Sequence, residues 1–98
     1  MSWTVTLKRS AEKELNKIPR QAQVDVRNAL VALVRAIESG GPVRGELPNY
    51  RKLQPPSADL HHCHLVKGRP TYVACWSVDR RTRTVEIYYV GTHEKAPY

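Results

Sequence analysis

The 98-residue sequence predicts a single α+β domain spanning residues 1–98: an N-terminal strand, an antiparallel helical hairpin, then three antiparallel strands, forming a twisted four-stranded sheet with the helices on one face. Three observations carry this. Residues 3–7 read "WTVTL", alternating apolar and polar as a half-buried strand does. Val26, Leu30, Leu33, Val34 and Ile37 recur at helical spacing. After a proline-rich stretch come three strand-like runs, Leu60–Val66, Pro70–Val78 and Thr84–Val90.

In order along the chain, Trp3–Leu7 is the first strand. Ser10 is placed to cap a short helix running through Ile18, and Pro19 marks its end. A longer helix covers about Arg20 to Ser39 and stops at Gly40-Gly41, since glycine supplies the left-handed backbone that ends helices. Residues 41–59 hold four of the seven prolines and form an irregular connection anchored by Leu47, Tyr50 and Leu53. Lys67-Gly68 then sits between two strand-like runs as a two-residue hairpin turn. That register pairs Val66 with Arg69, His64 with Thr71, His62 with Val73 and Leu60 with Cys75, all on one side of the sheet. The other side carries Cys63, Leu65, Tyr72, Ala74, Trp76 and Val78. It is the more apolar, so it should face the helices and leave His62, His64, Arg69 and Thr71 together on an open face.

Charge narrows the partners. Sixteen Lys and Arg stand against nine Asp and Glu, a net charge of +7. The excess is even, +3 over residues 1–49 (eight basic, five acidic) and +4 over 50–98 (eight basic, four acidic). A folded domain basic along its whole length points to a polyanionic partner, nucleic acid or an acidic protein segment, with solubility alone as the bland alternative. The N-terminal residues show no signal-peptide core, and the longest apolar run, Ala29–Val34, is too short to span a bilayer, so a cytoplasmic protein with no membrane partner is expected. Cys63 and Cys75 are too few for a disulfide framework and read as free thiols on strands.

The run Leu60–Leu65, "LHHCHL", concentrates three of the four histidines. His-x-His on a strand can ligate zinc, with His93 as a third ligand. No carboxylate or thiolate is spaced to complete the set, and Cys63 should point to the opposite face, so no metal or other cofactor is expected. An idle exposed strand is the second reading, and it must explain two histidines and an arginine on one basic face. Catalysis is the third. RNA cleavage without metal needs a base for the 2′-hydroxyl proton, a cation for the phosphorane, and an acid for the leaving 5′-oxygen. Two histidines and an arginine can fill those roles near neutral pH, because unperturbed imidazole titrates at about 6.5.

The order strand, helical hairpin, three strands, with "RPTY" opening the third strand and "VGTH" followed by a tyrosine, resembles the RelE/ParE superfamily of bacterial type II toxins over essentially the whole chain. RelE-like members are ribosome-dependent mRNA endonucleases; ParE-like members act on DNA gyrase. "CHL" at 63–65 and "GTHEKAPY" at 91–98 are most similar to the YafQ-like branch. The resemblance implies His62 and His64 at the second-strand positions, Arg69 and Tyr72 at the Arg-x-x-Tyr motif, and His93 with Tyr98 at the C-terminal positions. It departs from some RelE members in carrying histidines where they carry two lysines, and Glu46 lies where a further YafQ-like histidine is expected.

On this reading the expected function is endoribonucleolytic cleavage of mRNA on the ribosome, held in check by a cognate antitoxin. His64 and His93 are the acid–base pair, Arg69 stabilises phosphate charge, Tyr98 positions a base, and His62 is a secondary candidate. Arg51, Lys52, Lys67, Arg80 and Arg81 are candidate contacts to RNA or ribosome backbone. A gyrase-binding toxin or an inactive antitoxin-binding homologue on the same fold is the alternative, needing no acid–base cluster.

Overall fold

The computed structural model describes residues 3–42 and 60–97 together with the backbone of Arg51 and Lys52. Leu47, Tyr50, Leu53, Glu46 and Tyr98 lie outside the described residues.

The elements follow the expected order: β1 (Thr4–Leu7), α1 (Arg9–Asn16), α2 (Arg20–Gly40), β2 (Arg51–Lys52), β3 (Leu60–Val66), β4 (Tyr72–Asp79), β5 (Thr84–Thr92) and a 3₁₀ turn at His93–Lys95. The sheet order is β1-β5-β4-β3-β2. Strands β2 to β5 pair antiparallel with their neighbours, and β1 joins β5 in parallel. The two-residue strand β2 adds a fifth member, because Arg51 and Lys52 pair with His62 and His61. Strand β3 is therefore flanked on both sides over this stretch.

The helical hairpin is tied at its corner by side chains rather than by a capping serine. Lys8, with an extended backbone and no side-chain cap bond, precedes α1, and Ser10 falls inside the helix, contrary to the capping role expected of it. The chain comes directly off β1, with the Lys8 N–H donating to the Ile87 carbonyl at 2.9 Å, so the helix start is fixed by the sheet. At the other end Gln23 Nε2 donates to the carbonyls of Leu15 (2.6 Å) and Ile18 (2.9 Å), filling acceptors that an eight-residue helix leaves open. Arg27 locks that arrangement by donating to Gln23 Oε1 and Asn16 Oδ1, each at 2.6 Å. Gly41 ends α2 at φ +86°, and a β-carbon there would lie 2.9 Å from Trp3 Nε1. Both backbone and space therefore require glycine.

One face of the sheet packs on the helices. The core joins Ala11, Leu15, Ile18, Val26, Leu30, Leu33 and Ile37 to Cys63, Tyr72, Ala74, Trp76, Val85, Ile87 and Val90. Trp76, wholly buried, is its largest side chain. The core face read from the sequence thus holds for Cys63, Leu65, Tyr72, Ala74, Trp76 and Val78. The register does not. His64 pairs with Val73 rather than Thr71, and His62 with Cys75 rather than Val73, a slip of two residues. Pro70 has no N–H to give to a ladder, so a two-residue turn that made residues 69–71 strand would lose a bond there. Instead the connection lengthens, and Thr71 closes it: its hydroxyl donates to the Gly68 carbonyl at 3.1 Å and accepts from the Gly68 N–H at 3.2 Å. A slip of two preserves parity, so side chains up to His64 stay on their expected faces; a bulge between His64 and Val66 then pairs Val66 with Tyr72, a slip of three, and Val66 packs against the core instead of lying on the open face.

The thiols are free and buried on opposite faces. Burial pushes Cys63 from 9.0 up to about 12, and burial, with Cys63 nearby, pushes Cys75 to about 12 although the Tyr88 hydroxyl pulls the other way. Tyr88 rises from 10.0 to about 12, through burial first and then its neighbour Cys75. Each group has a folded pKa above its unfolded one, so its contribution is fully present below about pH 9 and is lost as pH rises toward 12. Urea midpoints should therefore fall on the alkaline side of pH 9, and Cys63→Ala/Cys75→Ala should flatten that fall. A slope unchanged by the double substitution would show that other groups cause it.

Candidate active site

The site is assembled from the ends of three strands. Half-buried His64 stands near the end of β3, the 67–71 connection carries Arg69, and the 3₁₀ turn after β5 carries His93. These line one open cleft of about 590 Å³ with Gly68, Pro70, Thr71 and Glu94. The imidazoles of His64 and His93 meet edge to face, their ring centroids 5.2 Å apart at 87°. Residues 29 apart in sequence thus share one cleft wall with an arginine.

The backbone of His93 is tied to the sheet. Its N–H donates to the Thr71 carbonyl at 2.8 Å, joining the end of β5 to the start of β4. From the sequence, Gly91 is the natural point for the chain to turn out of the last strand. The strand instead continues to Thr92, with Gly91 buried and opposite Val73. Glycine is needed for a different reason: a β-carbon would lie 2.6 Å from the Tyr89 hydroxyl and 2.9 Å from its ring carbon. That hydroxyl donates to the Thr92 carbonyl at 2.7 Å, the residue just before His93. Its own ionisation is pushed up, mainly by burial, so it remains a donor at neutral pH.

His62 is brought close to the pair but not into the cleft wall. Its ring centroid lies 6.0 Å from that of His64, and the residue is only 5% exposed. Pairing with β2 makes its strand an inner one, and Val73 and Cys75 on the same face are buried too, so this face is less open than its sequence suggests. His62 is therefore buried beside His64 and does not line the cleft. Lys67 is exposed on the connection beside the cleft. Arg80 and Arg81 are exposed at the far end of β4. For Arg51 and Lys52 the backbone alone is described, and Tyr98 lies outside the described residues.

Two residues are not picked out by the sequence patterns. Glu94 lines the cleft, and its signal is its adjacency to His93, since successive residues of a tight turn can face one space. His61 is buried on the helix-covered face and stacks on Trp76, ring centroids 6.0 Å apart and planes within 12°. Its pairing opposite Trp76 follows from strand parity alone. Among the described residues, no three His, Cys, Asp or Glu side chains are grouped so that they could hold a metal ion.

No family model and no curated protein matches the sequence. Solved structures do. A chain of the archaeal RelE–RelB complex of Pyrococcus horikoshii aligns at a TM-score of 0.71, 18% identity, 98% of this chain and 100% of the other. A chain of the Escherichia coli DinJ–YafQ toxin–antitoxin complex aligns at 0.71, 12% identity and 100% of both. The chain has the fold of the RelE-like toxins. A metal-bound toxin from Helicobacter pylori shares it as well, at a TM-score of 0.67 and 17% identity over 97% of this chain and 98% of that one. This RelE-like fold places its strand ends where the cleft forms.

If Tyr89 and Gly91 fix the end of β5, Gly91→Ala should displace the Tyr89 hydroxyl and loosen the His93 amide. Loss of one hydrogen bond, about 1 kcal/mol, predicts roughly fivefold faster hydrogen exchange at that amide. Amides of β3 should hold their protection. Unchanged exchange at His93 would show that Tyr89 does not set the position of the turn.

Proposed function

We propose that this chain is the toxin of a type II toxin–antitoxin pair and acts as a ribosome-dependent mRNA endoribonuclease. The observation that carries the proposal is the His64–His93 pair, 5.2 Å between ring centroids, in one cleft with Arg69. The RelE-like fold supports it, and so do the complexes with antitoxins in which such proteins have been solved.

The chemistry needs only these side chains. One imidazole takes the proton from a ribose 2′-hydroxyl while the 2′-oxygen attacks the adjacent phosphorus. The P–O5′ bond then breaks, the second imidazole gives its proton to the departing 5′-oxygen, and a 2′,3′-cyclic phosphate remains. The Arg69 guanidinium offsets charge building on the phosphorane oxygens, the stage at which a fixed cation lowers the barrier most. An edge-to-face imidazole pair can share one phosphodiester, with base and acid on either side of it. His62 supports His64 from behind, and Tyr98 is assigned to stacking on or positioning a base. Lys67, Arg51, Lys52, Arg80 and Arg81 hold RNA or ribosome backbone. The partners are a cognate antitoxin and the ribosome with its mRNA, in the cytoplasm. No helix among the described residues is long and apolar enough to cross a membrane.

His93→Gln should lower cleavage about a hundredfold or more while leaving ribosome binding in place, because it removes a proton-transfer group and leaves the basic contacts intact. Primer extension on cellular mRNA after brief induction reads the cuts, and sedimentation with ribosomes reads the binding. Codon-phased cuts surviving in the variant at the wild-type level would remove the acid–base assignment. Deleting Tyr98 should weaken cleavage less, through poorer positioning.

A chelator should leave the cleavage rate unchanged. Zinc bound at one per chain, and absent from His62→Ala or His64→Ala, would replace the acid–base mechanism by a metal-assisted one.

A further inference from the structure

The second concentration of charge lies away from the cleft. Between β4 and β5 the chain reads Asp79-Arg80-Arg81-Thr82-Arg83, with all five residues exposed. The turn is firmly built. Asp79 Oδ1 accepts the N–H groups of Arg81 (3.1 Å) and Thr82 (3.3 Å), and the Thr82 and Thr84 hydroxyls bond at 3.0 Å. Arg83 takes a left-handed conformation, φ +55°, and its carbonyl accepts the Thr4 N–H of β1 at 3.0 Å. Strand β4 runs seven residue steps from Tyr72, beside the cleft, to Asp79, so the turn stands about 23 Å from the cleft end. That is too far for one bound nucleotide to touch both.

We infer that the 79–83 turn is a docking site for the phosphate backbone of duplex RNA, separate from the cleft in which the single strand is cut. The inference rests on the ribonuclease reading above and adds where structured RNA is held. Arginines on a fixed turn suit phosphate oxygens, to which a guanidinium can bond in pairs. Sites for single strands interleave basic groups with aromatic stacking platforms, and this turn has no aromatic residue. A-form duplexes are recognised instead by shape and backbone. An acidic protein segment would want an apolar anchor beside the charge. Among the described residues the exposed large apolar side chains are Val24 and Val31, both on α2 and not on the turn.

The test uses the full chain and a 2′-O-methylated RNA hairpin of about 16 base pairs, which cannot undergo transesterification, so binding is read apart from cutting. Fluorescence anisotropy from about 0.05 to 0.2 M KCl gives the salt slope of the affinity. R80Q/R81Q/R83Q should make that slope shallower by about two to three, roughly one for each phosphate no longer neutralised. R80K/R81K/R83K, which keeps the charge and the turn, should retain most of it. The inference is overturned if the glutamine variant binds with wild-type affinity and slope, or if Arg69→Gln removes as much, which would seat the duplex in the cleft. An equal loss of binding to a polyglutamate peptide would also overturn it, making the turn a general anion or protein contact. A wild-type chain that shows the arginine-dependent slope but cuts no mRNA supports the docking site and sinks the nuclease reading alone.

Discussion

The cleft depends on one backbone hydrogen bond, from the His93 N–H to the Thr71 carbonyl at 2.8 Å. It extends the β4–β5 pairing one step past its last ladder pair, Tyr72 and Thr92, and so carries the turn that bears His93 toward His64. Its surroundings hold it. Tyr89 bonds the Thr92 carbonyl, Gly91 leaves room for that hydroxyl, and Thr71 is itself tied to Gly68 at both backbone groups. Two histidines far apart in sequence therefore meet at a distance set mainly by ladder geometry. Acid–base catalysis needs such placement, because proton transfer requires both groups within hydrogen-bond reach of one phosphodiester.

The same sheet keeps buried polar groups apart from the cleft. Cys63 and Cys75 lie next to the histidine run, yet burial holds both thiols near pKa 12, so neither supplies a thiolate nucleophile at neutral pH. His61 lies in the same run but stacks on Trp76 in the core, while His64, one strand period beyond His62, reaches the cleft. Alternation along a single strand sends neighbouring imidazoles to the core and to the cleft.

Much of this is legible in sequence because the governing rule is parity. The hairpin register expected from the turn is off by two residues, yet Cys63, Tyr72, Ala74 and Trp76 still fall on the core face, since only an odd slip exchanges faces. The helices are legible for a similar reason: Val26, Leu30, Leu33 and Ile37 repeat often enough to define a buried stripe. What parity and period cannot express stays hidden. Strand β2 has two residues, too few for any pattern, and it changes His62 from an open-face residue into a buried one. Ser10 has the right chemistry for a cap, but the entry of the chain from β1 decides where α1 begins. Gly91 stands out in the sequence for its freedom of turning, whereas the side chain of Tyr89, two residues earlier on the same strand, is what occupies the space of a β-carbon.

The low identity to proteins of the same fold, 12 to 18% at TM-scores near 0.7, fits this division. The ladder bonds that place β3, the 67–71 connection and the end of β5 are made by backbone groups, which every residue but proline supplies. The core asks only for apolar volume on one face and at helical spacing. Side chains at strand ends that project into the cleft carry neither burden, so they are free to differ in chemistry while their positions are kept. The chemistry of the cleft then rests on a handful of residues that the overall likeness does not constrain.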